Sequence, residues 1–159
     1  MANPTELAPL PESLQTAIDR LTDEGNELHE AGELAQALER FTAALARFPE
    51  PAEAYQGGAA VIAAIADLHF SMRDFTAARA GFLRARAAEE GGEDSPWLSL
   101  RLGQIELELG ESAEAHLGHA LRAGGPELFD EEDPKYFAFI TARVPPPAGC
   151  ERWEDARLG

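Results

Sequence analysis

The chain has 159 residues, enough for one domain with a sizeable core, and 45% of them are hydrophobic, which excludes a compositionally disordered chain. Its formal net charge is −16, from 29 acidic and 13 basic residues, and Lys135 is the one lysine; such a field repels nucleic-acid phosphates and anionic lipid and attracts basic partners. No apolar run is long enough to span a bilayer, the N-terminus carries neither a basic n-region nor an apolar h-region, and Cys150 is the lone cysteine, so the expectation is a cytoplasmic protein without an intramolecular disulfide.

Residues 1–11 hold Pro4, Pro9 and Pro11 and read as irregular, with Pro11 suited to the first turn of a helix. Leu14, Ile18, Leu21 and Leu28 then recur at helical spacing, which predicts a helix over 12–31. Gly25 is a small residue where a second helix can cross closely, and Gly32 marks a turn that needs positive φ. The second helix is predicted over 33–48, with Ala37, Phe41, Ala44 and Leu45 on one face and Pro49 as its stop.

Pro51 opens a helical stretch predicted over 52–72, with Gly57 and Gly58 as weak points or a break. After the turn at Arg73-Asp74, where Asp74 is a good N-cap, Phe75, Ala78, Phe82 and Ala85 repeat Leu34, Ala37, Phe41 and Ala44 at an offset of 41 residues, in a helix that ends near Glu90. Ser95-Pro96 is an N-cap followed by proline at the first helical position. In the helix it starts, Gly103 matches Gly25, and Gly110 matches Gly32 at the turn. Ala113, Leu117, Ala120 and Leu121 continue the pattern with a turn two residues shorter, and Gly124-Gly125 end it. Pro126 to Phe129 reads as a short helical turn, the acidic run Asp130 to Asp133 follows, and Asp133-Pro134 start a short aromatic helix to about Arg143. The remaining tail, 144–159, is proline-rich and polar apart from Trp153 and Leu158.

The stretch from Leu21 through Gly25, Leu28, Gly32, Ala37 and Phe41 to Pro49 resembles the tetratricopeptide repeat, a helix–turn–helix unit of ~34 residues. Glu24 departs from the leucine usual at its position. The resemblance covers about residues 18–124 and implies an all-α fold: a right-handed α-solenoid of about three hairpins (12–49, 52–90 and 95–124) with a capping helix at 133–143, forming a single domain over 12–143. It also implies a concave groove lined by the first helix of each unit. By position the lining is Asp19, Thr22, Asn26, His29 and Glu30, then Ala60, Ala63, Asp67, Phe70 and Ser71, then Trp97, Leu100, Arg101, Gln104 and Glu108. Some family members grip acidic chaperone tails with a clamp of lysine, arginine and asparagine. Asn26 and Arg101 stand at two clamp positions here, but Thr22 and Trp97 replace the clamp lysines, so acidic tails are not the expected ligand.

The sequence carries little catalytic chemistry. His116 and His119 stand at i, i+3, without an HExxH motif or a second pair to complete a metal site. There is no phosphate-binding glycine loop, no G-x-S-x-G elbow and no kinase signature. No enzyme activity, metal or cofactor is expected. A non-catalytic interaction module is expected instead, one that binds a basic protein through the acidic groove and the run Asp130, Glu131 and Glu132. The whole chain, with its ending PELFDEEDPKYFAFI, is more loosely similar to small bacterial repeat proteins encoded beside secreted toxins, which act as immunity proteins; that implies a basic toxin domain as partner. The alternative is a general adaptor or chaperone that binds short peptides. The sequence assigns no oligomeric state.

Overall fold

The structure is a computed structural model and describes residues 6–157. The expectations for residues 1–5, Leu158 and Gly159 lie outside the described residues. Among the described residues the chain is all-helical, with seven α-helices, four short 3-10 turns and no strand beyond one isolated bridge. It divides into two compact units after Gly92.

The first unit holds α1 (Glu12–Glu30), α2 (Leu34–Leu45), α3 (Gly58–Ser71) and α4 (Phe75–Ala88). The second holds α5 (Pro96–Glu108), α6 (Glu114–Gly124) and α7 (Pro134–Thr141). α1 packs against α2, α3 against both α2 and α4, and α5 against α6.

Each of the three hairpins turns on the same backbone device. Gly32, Arg73 and Gly110 have φ of 78°, 64° and 72°. The amide of each donates to the carbonyl three residues back (His29, Phe70 and Leu107), and the next amide donates to the carbonyl five back: Glu33 to Leu28, Asp74 to His69 and Glu111 to Glu106, each at 2.8 Å. This is the Schellman closure, which satisfies the orphan carbonyls of a helix end. Seven residues before each turn stands a residue with almost no side chain: Gly25, Ala66 and Gly103. A Cβ on Gly25 would lie 2.8 Å from the Phe41 ring, and one on Gly103 would lie 2.6 Å from Leu117. In the first and third hairpins the glycine lets the second helix seat a large side chain against the first; in the second, Ala66 faces Gly81.

The helix boundaries differ from the sequence expectation at the ends of α2 and α4, and the chain breaks before α3. α2 ends at Leu45, and Arg47 and Phe48 continue with amides that reach only three residues back, to Ala44 and Leu45; Phe48 still packs into the core. The helical stretch predicted over 52–72 takes the break offered at Gly57 and Gly58: it is a 3-10 turn (Ala52–Ala54), a break, and then α3. Gly58 makes the break compact, since a Cβ there would stand 1.9 Å from the Ala52 carbonyl oxygen. α4 ends at Ala88, two residues early. The predicted caps form: Asp74 accepts from the Ala77 amide, Ser95 from Leu98 and Asp133 from Lys135.

Two segments read as irregular are held in place. Ala8 forms a parallel bridge with Tyr55, its amide donating to Ala54 O at 3.0 Å and its carbonyl accepting from Gln56 at 3.2 Å. In the tail, Trp153 is buried and its Nε1 donates to Val144 O at 2.8 Å. The first unit's core is built on Ile18, Phe41, Phe48, Val61, Ile62 and Leu68. The second is built on Leu117, Leu121, Phe129, Tyr136, Ile140 and Trp153.

Candidate partner-binding surface

In the first unit, α1 carries six carboxylates, on Glu12, Asp19, Asp23, Glu24, Glu27 and Glu30, against the single arginine Arg20. Arg20 Nε bonds Glu24 at 3.0 Å, and Arg40 of α2 approaches the same carboxylate at 3.4 Å. Asp19, Asp23, Asn26 and Glu30 recur at helical spacing and are exposed. Beside them opens a cleft of about 330 Å³. Ile18, Phe41, Phe48 and Val61 line its apolar part, and Gln15, Asp19, Thr22 and Asn26 its polar part. Gln15 Nε2 donates to Asp19 Oδ1 at 2.7 Å, which holds that carboxylate in place. Ala60 and Ala64 of α3 also line the cleft; their small side chains leave it room.

Of the residues predicted for this surface, Asn26 therefore lines the cleft, together with Asp19, Thr22 and Ala60. Glu30 lies one helical turn past Asn26 on α1, and His29, half-buried, lies beside it. Asp67 continues the α3 face one turn beyond Ala64. Phe70 packs edge-on against Phe75 with ring centroids 5.6 Å apart, and the Arg73 guanidinium lies 5.1 Å from the Phe75 ring. Phe70 is thus part of the packing at the hairpin turn.

In the second unit the predicted residues come together, but on each other. Trp97, Arg101, Gln104 and Glu108 form one stripe of α5. The Arg101 guanidinium lies 5.7 Å from the Trp97 ring. Arg101 Nη1 donates to Gln104 Oε1 at 2.8 Å and to Glu132 Oε2 at 2.9 Å, and Gln104 Nε2 donates to the same Glu132 oxygen at 2.8 Å. Gln104 is fully buried, so both ends of its amide need these partners. One turn on, Glu108 accepts from the Tyr136 hydroxyl at 2.6 Å and pairs with Lys135. Burial, and then the Glu108 carboxylate, push the Tyr136 phenol well above its ordinary value, so the phenol stays a donor.

The acidic run is largely engaged within the chain. Asp130 takes a two-pronged bond from Arg157, at 2.8 and 2.9 Å, and that bond holds its carboxyl below the usual carboxylate range. Glu132 belongs to Arg101 and Gln104, and Asp133 caps α7. Glu131 is exposed. No sequence signal could have paired Arg101 with Glu132, 31 residues away.

His116 and His119 have local partners. His116 Nδ1 lies 2.7 Å from Glu106 Oε1, and His119 Nε2 lies 3.2 Å from Asp94 O. Among the described residues no group of three or more His, Cys, Asp or Glu side chains is arranged to hold a metal ion, and no helix is long and apolar enough to cross a membrane. No protein-family model matches the chain, and no curated protein matches it in sequence.

Proposed function

We propose that this chain is a non-catalytic protein-interaction module that binds a basic partner protein, and that its hairpins are tetratricopeptide-like units of a right-handed solenoid. The observation that carries the reading is the α1 face, where a row of exposed carboxylates borders an apolar cleft. An apolar anchor in a water-excluding pocket supplies most of the energy of a typical interface, and surrounding charge supplies orientation and speed. The common Schellman turn, with a small residue seven positions before it in all three hairpins, supports the repeat reading.

The sharper form of the proposal is an immunity protein that acts in the bacterial cytoplasm and covers a basic cleft of a toxin domain. A net charge of −16 suits that task. A toxin that acts on nucleic acid presents a cationic site, and an acidic inhibitor is drawn to it at long range. The adaptor reading uses the same cleft for short peptides of many proteins.

Affinity purification of the tagged full chain from its own host, at low and at physiological salt, separates the two. One stoichiometric basic protein at both salts is the expected result and supports the dedicated-partner reading. A scatter of proteins lost at physiological salt supports the adaptor. Retention of acidic proteins alone would overturn both.

A further inference from the structure

The third hairpin carries its own occupant. Aligning the hairpins on Gly25 and Gly103, and on the turns Gly32 and Gly110, sets α5 against α1 at an offset of 78 residues. Asn26 then corresponds to Gln104, Glu30 to Glu108, Asp23 to Arg101 and Asp19 to Trp97. On α5, Arg101, Gln104 and Glu108 of this stripe are covered from within the chain, while Trp97 at its start stays exposed. Glu132 lies on Arg101 and Gln104, while Lys135 and Tyr136 lie on Glu108. The last pair is informative, because it is a cation next to an aromatic side chain, the Lys135 Nζ 5.1 Å from the Tyr136 ring, docked on the acid of a first-helix face. On α1 the corresponding residues are exposed. Their charge is also more negative, since Asp23 stands where Arg101 stands and Asp19 where Trp97 stands. The apolar cleft opens beside them.

We infer that the face of α1, and not that of α5, is the docking surface, and that its occupant is a basic segment of the partner carrying one bulky apolar or aromatic side chain. The apolar group fills the cleft over Ile18, Phe41 and Val61. The flanking cations lie on Asp19, Asp23 and Glu30, as Lys135 lies on Glu108. Arg101, Gln104 and Glu108 are positioning residues that fix the approach of α7 and of the run before it. Charge complementarity and the internal copy of the contact carry this assignment, which rests on the basic-partner reading above.

The probe is a fluorescein-labelled peptide of lysine and arginine around one phenylalanine, titrated with the full chain at physiological salt and read by fluorescence anisotropy. Replacing the peptide's phenylalanine by alanine is expected to weaken binding about tenfold, because the anchor is lost. The isosteric pair Asp19→Asn and Asp23→Asn is expected to weaken it about fivefold or more, since charge pairing at the rim is lost without a change of shape. Glu151→Gln removes one exposed carboxylate from the second unit and is expected to leave binding within about twofold. Equal affinity for the alanine peptide would overturn the cleft as anchor site. Weakening by Glu151→Gln but not by the Asp19 and Asp23 pair would overturn the location and leave the basic-partner reading standing. A chain that binds neither peptide would overturn both.

Discussion

Single side chains in this molecule are tied down by charge in places that an acidic composition would not suggest. Glu53, in the turn before α3, is bonded by Arg84 of α4, with Nη2 2.8 Å from Oε2 and Nε on the other oxygen. The Arg84 hydrogen bonds hold the Glu53 carboxyl below its ordinary value of 4.5. A carboxylate with a lowered folded value stabilises the fold above its unfolded value and loses that contribution as pH falls through the folded one. Glu53→Gln is therefore expected to be less stable than the parent at neutral pH, with the gap closing below about pH 4.5; thermal unfolding across pH 7 to 3 measures it, and a gap that stays constant would show that the pair contributes nothing through charge. The sequence did not announce this pair, because Glu53 and Arg84 meet only once α3 and α4 have folded back. The same holds for Gln104 and Glu132. Their types and helical positions were legible, and Trp97, Arg101, Gln104 and Glu108 do share one face of α5 while Leu100 turns into the core, but which side chains cover Gln104 and Glu108 depends on how α7 docks. Tertiary docking leaves no mark in local spacing.

At the scale of elements, the hairpins were legible because their signals are local. Apolar residues recur at helical spacing, and the turns are marked by Gly32, Asp74 and Gly110. What the spacing missed were the ends of α2 and α4, where short-range amide bonds decide; the break before α3 was one of the two readings that Gly57 and Gly58 allowed. The three turns also make a quantitative comparison. A side chain in the left-handed region costs about 1–2 kcal/mol, so Gly32→Ala and Gly110→Ala are each expected to lower stability by about 1 kcal/mol. Arg73 already bears that cost and recovers part of it from its position over the Phe75 ring, a contact worth about 0.5–1 kcal/mol at an exposed site. Arg73→Gly is thus expected to change stability by less than about 0.5 kcal/mol. Urea unfolding of the three variants checks the set, and an equal loss in all three would show that the turns do not share one conformation.

For the whole molecule the governing quantity is the charge. Carboxylates exceed cations by 16 over the chain, and many of the carboxylates of the second unit are already bonded internally, whereas those of the α1 face point outward beside a cleft. A field of this size acts at distances of about 10 Å at 0.1 M salt. It therefore acts on the approach of a partner more than on the contacts of the finished complex. The most direct test of the account is the association rate of the chain with its co-purified basic partner, followed by stopped-flow fluorescence as salt is raised. The account predicts a fall of about tenfold or more between roughly 50 and 300 mM salt, with a much smaller change in the dissociation rate. An association rate that stays flat over that range would contradict it, since the acidic surface would then have no part in finding the partner.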